Sequence, residues 1–150
     1  MNKNGWMLLG ALCFAPLAAA QNAAPARADI APNALRDAAL TVAQAVDAGQ
    51  TAQLWQGATA VTRQTLQQPQ FVASVAQARK PFTQPVQRQW TGISLRDVAT
   101  AQGAATPGRY GSVDFVTTFA GNRRAHELVS FRLDEDGQWR FAGYVITALR

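Results

Sequence analysis

The chain has 150 residues, a formal net charge of +5, one cysteine and one histidine. This length suits one domain with a single modest core. The basic residues are spread singly rather than gathered on a stripe, which argues against a nucleic-acid-binding protein. Cys13 is the only thiol and His126 the only imidazole, so no metal site and no cofactor are expected.

The first twenty residues have the pattern of a secretory signal peptide. Lys3 supplies a positive start, residues 6–17 are apolar, and Ala18–Ala20 form a small-residue cleavage site. We therefore expect cleavage near Ala20 and a periplasmic or secreted location. The apolar segment is too short to span a membrane, and no later segment is long enough. The expected divisions are a signal peptide, a flexible lead and one domain at residues 1–20, 21–31 and 32–150.

The domain begins with helical periodicity. Pro32 suits the first turn of a helix, Asp47 falls on its polar face, and Gly49 suits its C-terminal cap. The apolar face of this helix carries Leu35, Ala39, Val42 and Val46. Thr51 is expected to cap a short second helix that breaks before Val61.

A third helix and a change of period follow. Pro69 suits the start of this helix, and Pro81 predicts its end near Lys80. After Pro85 the alternation has a period of two, which indicates strands. The expected strands are residues 86–93, Tyr110–Phe119, Ala125–Leu133 and Gly137–Ile146.

The last strand carries apolar bulk on both faces, so we expect it to be central in the sheet. Strict alternation places Trp139, Phe141 and Val145 on one side. Tyr144 and Ile146 fall on the other. Helices followed by an antiparallel meander predict an α+β fold, with the N-terminal helices on one face of a curved sheet of about four strands.

Motifs spread over residues 35–147 resemble a family of small exported bacterial proteins, the domain-of-unknown-function family 4019. The most specific are Gly137-Gln138-Trp139-Arg140 and Gly143-Tyr144. The other matching residues are Ala48-Gly49, Trp55, Phe71, Arg79, Pro81, Arg88, Pro107–Tyr110, Phe115–Phe119 and Glu127-Leu128. The resemblance implies a nuclear-transport-factor-2-like (cystatin-like) fold and export. It implies no reaction.

Glu127 is the most informative carboxylate. It shares strand parity with Val129 and Phe131, which places it on the helix-facing side of the sheet. A buried carboxylate needs a partner, and Arg79 or Arg88 can supply one. A structural ion pair is favoured over a ligand anchor, because buried charges are usually paired for structural reasons.

The candidate ligand-binding residues are Trp55, Arg79, Trp90, Glu127, Trp139 and Tyr144. The aromatic members are expected to serve first as core. No catalytic residue is assigned. His126 needs an orienting partner, for which Asp114 on the neighbouring strand is the best candidate, but alternation places both with Tyr110 on the solvent side.

Three functions stay open. The favoured one is a non-enzymatic exported module that binds a small molecule or an envelope protein. The second is a ketosteroid-isomerase-like or dehydratase-like enzyme using a pocket carboxylate, which a deep cavity holding Glu127 or Asp114 beside a tyrosine would favour. The third is an assembly protein that forms a homodimer through a flat outer sheet face holding Tyr110, Thr118 and Trp90.

Overall fold

The computed structural model describes residues 29–101 and 106–150, and in these ranges four helices precede four strands. The helices are α1 Pro32–Asp47, α2 Thr51–Gln56, α3 Ala60–Thr65 and α4 Gln68–Arg79. The strands are β1 Pro85–Val98, β2 Gly108–Phe119, β3 Arg123–Leu133 and β4 Trp139–Leu149. They form one antiparallel sheet in the order β1-β2-β3-β4, which confirms the α+β class. The expected signal peptide lies outside the described residues, as do residues 21–28 of the expected lead.

The C-terminus of α1 is capped at Gly49, as the sequence predicts. Gly49 has φ +72°, and its N–H donates to the Val46 carbonyl at 3.1 Å. The Gln50 N–H donates to the Ala45 carbonyl at 2.8 Å. This pair of bonds is the Schellman motif, which satisfies the last carbonyls of a helix and turns the chain towards α2.

Replacing Gly49 with alanine is expected to lower the free energy of unfolding by about 1–2 kcal/mol, because a Cβ disfavours the left-handed conformation. A Cβ at Gly49 would meet no atom within 4 Å, so the cost is one of backbone conformation alone. Gly57 is a matched control: it caps α2 at φ −85°, where alanine fits. Urea denaturation should find Gly57→Ala neutral or slightly stabilising. Equal losses in both variants would contradict the assignment.

The short helices correct one expectation about capping. Thr51 lies inside α2 and is buried, and Gln50 precedes the helix without a side-chain cap. The side-chain cap occurs instead at Thr59, whose hydroxyl accepts the Thr62 N–H at 3.1 Å at the start of α3. The break between the two helices, at residues 57–59, confirms the interruption expected before Val61.

The core lies between the helices and one face of the sheet. The alternation expected for β2 and β3 is confirmed, since every second residue from Gly111 to Phe119 and from Ala125 to Phe131 is buried there. The apolar side chains that these helices and strands bury include Leu35, Ala39, Val42, Val46, Phe71, Val75, Val113, Phe115, Phe119, Val129 and Phe131. Each large side chain buried in this way contributes about 1.5–3 kcal/mol of transfer free energy.

The expectations for β4 are corrected in two respects. β4 is an edge strand, although it pairs with β3 as expected. A bulge also interrupts that pairing, because Ser130 lies opposite Gly143 while Phe131 lies opposite Phe141. One extra residue reverses the alternation beyond it. Phe141, Tyr144 and Ile146 are therefore all buried, and Val145 is 55% exposed.

The exposed edge of β4 is partly covered at this bulge. The Thr59 N–H donates to the Phe141 carbonyl at 2.9 Å, and Ala58 forms a parallel bridge with Phe141. The Thr62 hydroxyl donates to the Ala142 carbonyl at 3.0 Å. These bonds use main-chain acceptors that an edge strand otherwise leaves open.

The opposite edge is β1, which also contains irregularities, one of them between Trp90 and Gly92. Trp90 lies opposite Phe115, a core residue, so it belongs to the helix-facing side of the sheet and yet is 50% exposed. The outer sheet face expected for assembly therefore holds Tyr110 and Thr118 without Trp90. None of the helices described is long and apolar enough to cross a membrane.

Candidate functional site

A buried charge cluster joins the helices to the sheet. One residue comes from each of the four strands and one from each of the two longest helices. Its members, which we call the Glu127 cluster, are Asp47 of α1, Arg79 of α4, Arg88 of β1, Thr117 of β2, Glu127 of β3 and Tyr144 of β4. The cluster thereby links six elements through side-chain contacts.

Glu127 is at the centre of this cluster and is fully buried. Arg88 donates to both of its oxygens, with Nε 2.7 Å from Oε2 and Nη2 3.3 Å from Oε1. The Tyr144 hydroxyl donates to Oε1 at 2.5 Å, and the Thr117 hydroxyl donates to Oε2. Two N–H groups of Arg88 and the hydroxyls of Thr117 and Tyr144 thus replace the water molecules that the carboxylate loses on burial.

Asp47 completes the charge balance. Its carboxylate accepts from Arg79 Nη2 at 2.8 Å and from Arg88 Nη1 at 3.0 Å. Two carboxylates thus face two guanidinium groups. The Arg79 guanidinium carbon also lies 4.8 Å from the centre of the Phe119 ring, a cation–π contact at the margin of the cluster.

The environment of Glu127 favours its charged form. Burial alone opposes ionisation, but the hydrogen bonds from Arg88, Thr117 and Tyr144 outweigh it, and the pKa of Glu127 lies below its ordinary value. Burial likewise lowers the pKa of Arg88, while the bonds to Glu127 and Asp47 raise it to a net value above the ordinary one. The pair is therefore ionised at neutral pH.

The same cluster disfavours the charged form of Tyr144. Burial and the neighbouring charge of Glu127 both disfavour the phenolate, so the pKa of Tyr144 is raised well above its ordinary value. A protonated hydroxyl can only donate to the Glu127 carboxylate in this arrangement. Tyr144 is thus fixed as a hydrogen-bond donor.

Tyr144→Phe is expected to lower the free energy of unfolding by about 1–3 kcal/mol at neutral pH, because the buried Oε1 of Glu127 loses its shorter hydrogen bond. The difference in unfolding free energy between the wild type and Tyr144→Phe should become smaller at alkaline pH. In the unfolded chain Tyr144 ionises near pH 10, whereas in the folded chain it stays protonated. The folded state then holds the extra proton, so wild-type stability falls as pH rises above 10, by up to about 1.4 kcal/mol per pH unit.

Urea denaturation of both proteins at neutral pH and above pH 10 measures this difference. Tyr110, the second of the two tyrosines in the chain, is present in both proteins and contributes equally. A difference that stays constant across the alkaline range would contradict the raised pKa.

The six candidate ligand-binding residues separate into two groups. Arg79, Glu127 and Tyr144 come together in the cluster, and the pairing expected between Glu127 and an arginine is confirmed. Trp55 packs against the core, and its Nε1 donates to the Leu66 carbonyl at 2.7 Å. Trp139 also packs against the core, while Trp90 is half exposed on β1. Ligand binding by these six residues stays a prediction.

Asp47 and Thr117 are cluster members that the sequence patterns do not single out as site residues, although the sequence contains a signal for each. Asp47 is expected on the polar face of α1, but it is four residues beyond the buried Ala43 and so lies near the apolar stripe. Thr117 lies between the buried Phe115 and Phe119 in the alternation of β2. A polar residue at an apolar position predicts a buried hydrogen bond.

His126 and Asp114 form the pair that the sequence predicts. His126 Nε2 lies 2.7 Å from Asp114 Oδ1, and both side chains are about one-third exposed on the outer face of the sheet. Glu127 lies on the opposite face. The chain therefore separates its imidazole from its buried carboxylate, and the two cannot act together on one substrate.

The carboxylates of Asp134 and Asp136, in the acidic turn between β3 and β4, are paired with arginine side chains. Asp134 accepts from Arg132 at 3.2 Å and from Arg140 at 3.1 Å. Arg140 also contacts Asp136 at 2.7 Å and, together with the Gln138 N–H, holds the pKa of Asp136 at about 2. Within residues 29–101 and 106–150, no group of three or more potential metal-ligating side chains is arranged to hold an ion.

The part of the chain that the structure describes forms several surface grooves outside the cluster, including three with volumes between about 400 and 480 Å³. One of about 460 Å³ runs between α3 and the acidic turn, and one of about 400 Å³ lies beside Val98 and Arg109. The third, of about 480 Å³, lies at the end of the sheet beside Phe82 and Arg124. None of the three is lined by a member of the Glu127 cluster.

The resemblance stated from the motifs is confirmed by comparison with known families. Residues 38–144 match the family described as protein of unknown function (DUF4019). No curated protein matches the chain. Because the family match covers more than half of the sequence, the protein belongs to the DUF4019 family.

Proposed function

We propose that this protein is an exported, non-enzymatic module that binds a small molecule or a protein partner. The observation that carries the proposal is the state of Glu127. An acid or base must reach the proton that it transfers. Glu127 is fully buried, and its two oxygens are occupied by Arg88, Thr117 and Tyr144.

The charge balance of the cluster supports the same conclusion. Catalytic carboxylates that act as general acids or bases usually have raised pKa values, from burial or from like charges. The pKa of Glu127 is lowered, and its neighbours are cations and hydroxyl donors. Such a carboxylate acts as a structural ion rather than as a proton carrier, which leaves the open surface grooves for binding.

Export is part of the proposal and is supported by the order of Lys3, the apolar residues 6–17 and Ala18–Ala20. We also assign the nuclear-transport-factor-2-like fold as a proposal, which the order of helices followed by an antiparallel sheet supports. Cell fractionation followed by N-terminal sequencing tests export. A product in the periplasm or medium that begins at Gln21 is expected, and an uncleaved cytoplasmic product would contradict it.

Binding is tested by a thermal-shift screen of the protein against a metabolite and lipid library. A ligand that binds only the folded state raises the melting temperature in a concentration-dependent way. The screen is run in parallel on Tyr144→Phe, which removes one hydroxyl from the cluster. The proposal predicts at least one ligand whose shift is the same in both proteins. A shift lost in the folded variant would place the ligand beside Glu127 and favour the enzyme.

A further inference from the structure

Strand β1 is an edge of the sheet, and its main chain is open on one side. An edge strand directs part of its N–H and C=O groups away from its neighbour, where another strand can bond to them. In the part of the chain that the structure describes, the main chain of residues 86–96 bonds to β2 and to no other segment. At the opposite edge, Thr59 and Thr62 occupy main-chain acceptors of β4.

Exposed apolar side chains lie along this open edge. Trp90 and Leu95 are on the helix-facing side of β1, and both are exposed. A Cβ built on Gly111 would lie 2.9 Å from Leu35 and 3.1 Å from Leu95. The start of α1 is therefore beside Leu95.

Leu40 of α1 extends the same apolar surface. The last residue of α1, Asp47, bonds to Arg88 at 3.0 Å, so α1 lies along β1 in the opposite direction. Leu40 is seven residues before Asp47, which places both on the side of α1 that faces β1. Leu40 is also exposed. The three residues that we call the edge patch are Leu40, Trp90 and Leu95.

The strand residues of the edge patch are arranged symmetrically about Ile93. Trp90 and Leu95 pair with β2 residues that lie two positions on either side of the partner of Ile93. The irregularity between Trp90 and Gly92 produces this equal spacing, because Thr91 has no partner in β2. An antiparallel second copy of β1, with Ile93 opposite Ile93, would therefore set Trp90 opposite Leu95 twice.

The same register separates like charges. Gln89 and Arg96 lie three positions on either side of Ile93, and Arg88 and Asp97 lie four positions on either side. Antiparallel pairing thus sets Arg96 opposite a glutamine and Arg88 opposite an aspartate, and never arginine opposite arginine. Like charges directly opposite each other destabilise a strand pair.

We propose that the protein forms a two-fold symmetric homodimer in which two β1 strands pair antiparallel about Ile93. The two four-stranded sheets then become one continuous sheet, and the two edge patches cover each other. The occupant of the edge is a second copy because the symmetric spacing of apolar and charged residues matches this strand with itself. The dimer goes beyond the proposed binding function, and it uses a strand edge instead of the outer sheet face.

Sedimentation velocity of the protein, purified as the cell produces it, tests the dimer. The sedimenting mass should rise with concentration from that of one chain to that of two. A protein that stays monomeric up to about 100 µM would overturn the inference and leave the edge to a strand of another protein.

Two leucines on the two edge strands supply matched variants. Leu95 and Leu149 are each 41% exposed, on β1 and β4 respectively. Leu95→Lys should raise the dissociation constant of the dimer at least about hundredfold, because each dimer then buries two ammonium groups without partners. Leu149→Lys makes the same charge change away from the interface and should leave the dissociation constant unchanged. Equal weakening by both variants would reduce the effect to net charge and overturn the interface.

Cysteine cross-linking locates the two-fold axis without a disruptive charge. Opposite residues of an antiparallel pair have Cα atoms about 4.5–5.5 Å apart, within the range that a disulfide bridges. Mild oxidation of Ile93→Cys should therefore give a covalent dimer, with the oxidised wild type as the control for Cys13. Val145→Cys, on the outer face of β4, should stay monomeric under the same oxidation. A covalent dimer of Val145→Cys and none of Ile93→Cys would assign the contact to the outer sheet face and overturn the inference.

Discussion

Glu127→Gln is expected to lower the free energy of unfolding by about 3–5 kcal/mol, the usual cost of breaking a buried ion pair from one side. Glutamine keeps the size of the side chain but removes the charge. Arg79 and Arg88 are then left with Asp47 as their single carboxylate in the cluster. Since domains are typically stable by about 5–15 kcal/mol, this change removes a large share of the total.

Glu135→Gln is the matched control, because the chain has only two glutamates and Glu135 is exposed in the turn before β4. Substitutions at exposed sites without partners usually change stability by less than about 0.5 kcal/mol. Urea denaturation followed by circular dichroism measures both variants. A loss at Glu127 no larger than the loss at Glu135 would mean that the cluster contributes little to stability.

Arg88→Gln is also expected to lower the free energy of unfolding by about 3–5 kcal/mol, because it removes the cationic partner of a buried ion pair. Arg88 donates hydrogen bonds to both Glu127 and Asp47, whereas Arg79 donates one to Asp47 and lies 3.9 Å from Glu127 Oε1; the Arg88 side chain is 7% exposed. Its loss leaves two buried carboxylates with Arg79 as their guanidinium partner. Arg96→Gln, on the exposed surface of the same strand, should be close to neutral.

The double variant Glu127→Gln with Arg88→Gln shows whether the two side chains stabilise the fold through their mutual ion pair or independently of each other. Removing both charges leaves Asp47 and Arg79 balanced and lets the two amides hydrogen-bond. The double variant should therefore lose less than the sum of the single losses, by about 1–3 kcal/mol. Strict additivity would contradict direct coupling between the two side chains.

Most of the fold can be predicted from the sequence, because periodicity and capping are local. The stripe of α1, the turn at Gly49 and the alternation of β2 and β3 follow from residue spacing alone. The pairing of Glu127 with an arginine was also predictable. A carboxylate at a buried strand position needs a cation, and few were available on the helix-facing side.

The errors in β4 have two sources, and one of them is an inserted residue. A bulge at residues 141–143 reverses strand parity, so Tyr144 joins the core and Val145 is exposed. Gly143 was the available signal, since glycine inside a strand often marks a bulge. The apolar bulk of β4 suggested a central strand, but Ala58 and Thr59 cover its edge instead. That cover is a tertiary contact between distant segments, which no local pattern in β4 encodes.

The central claim is that Glu127 is a structural ion and not a proton carrier. The most direct test is a pH titration of the glutamate side-chain carboxyl carbons by ¹³C nuclear magnetic resonance. With two glutamates in the chain, the Glu127→Gln spectrum assigns both signals.

We expect the pKa of Glu127 to lie below its ordinary value of 4.5. Because the folded state then binds its proton more weakly than the unfolded chain, the contribution of Glu127 to stability is present above pH 4.5. It is lost as the pH falls through the folded-state pKa. A pKa of Glu127 above 4.5 in the folded protein would contradict the account and mark this carboxyl as a candidate general acid or base.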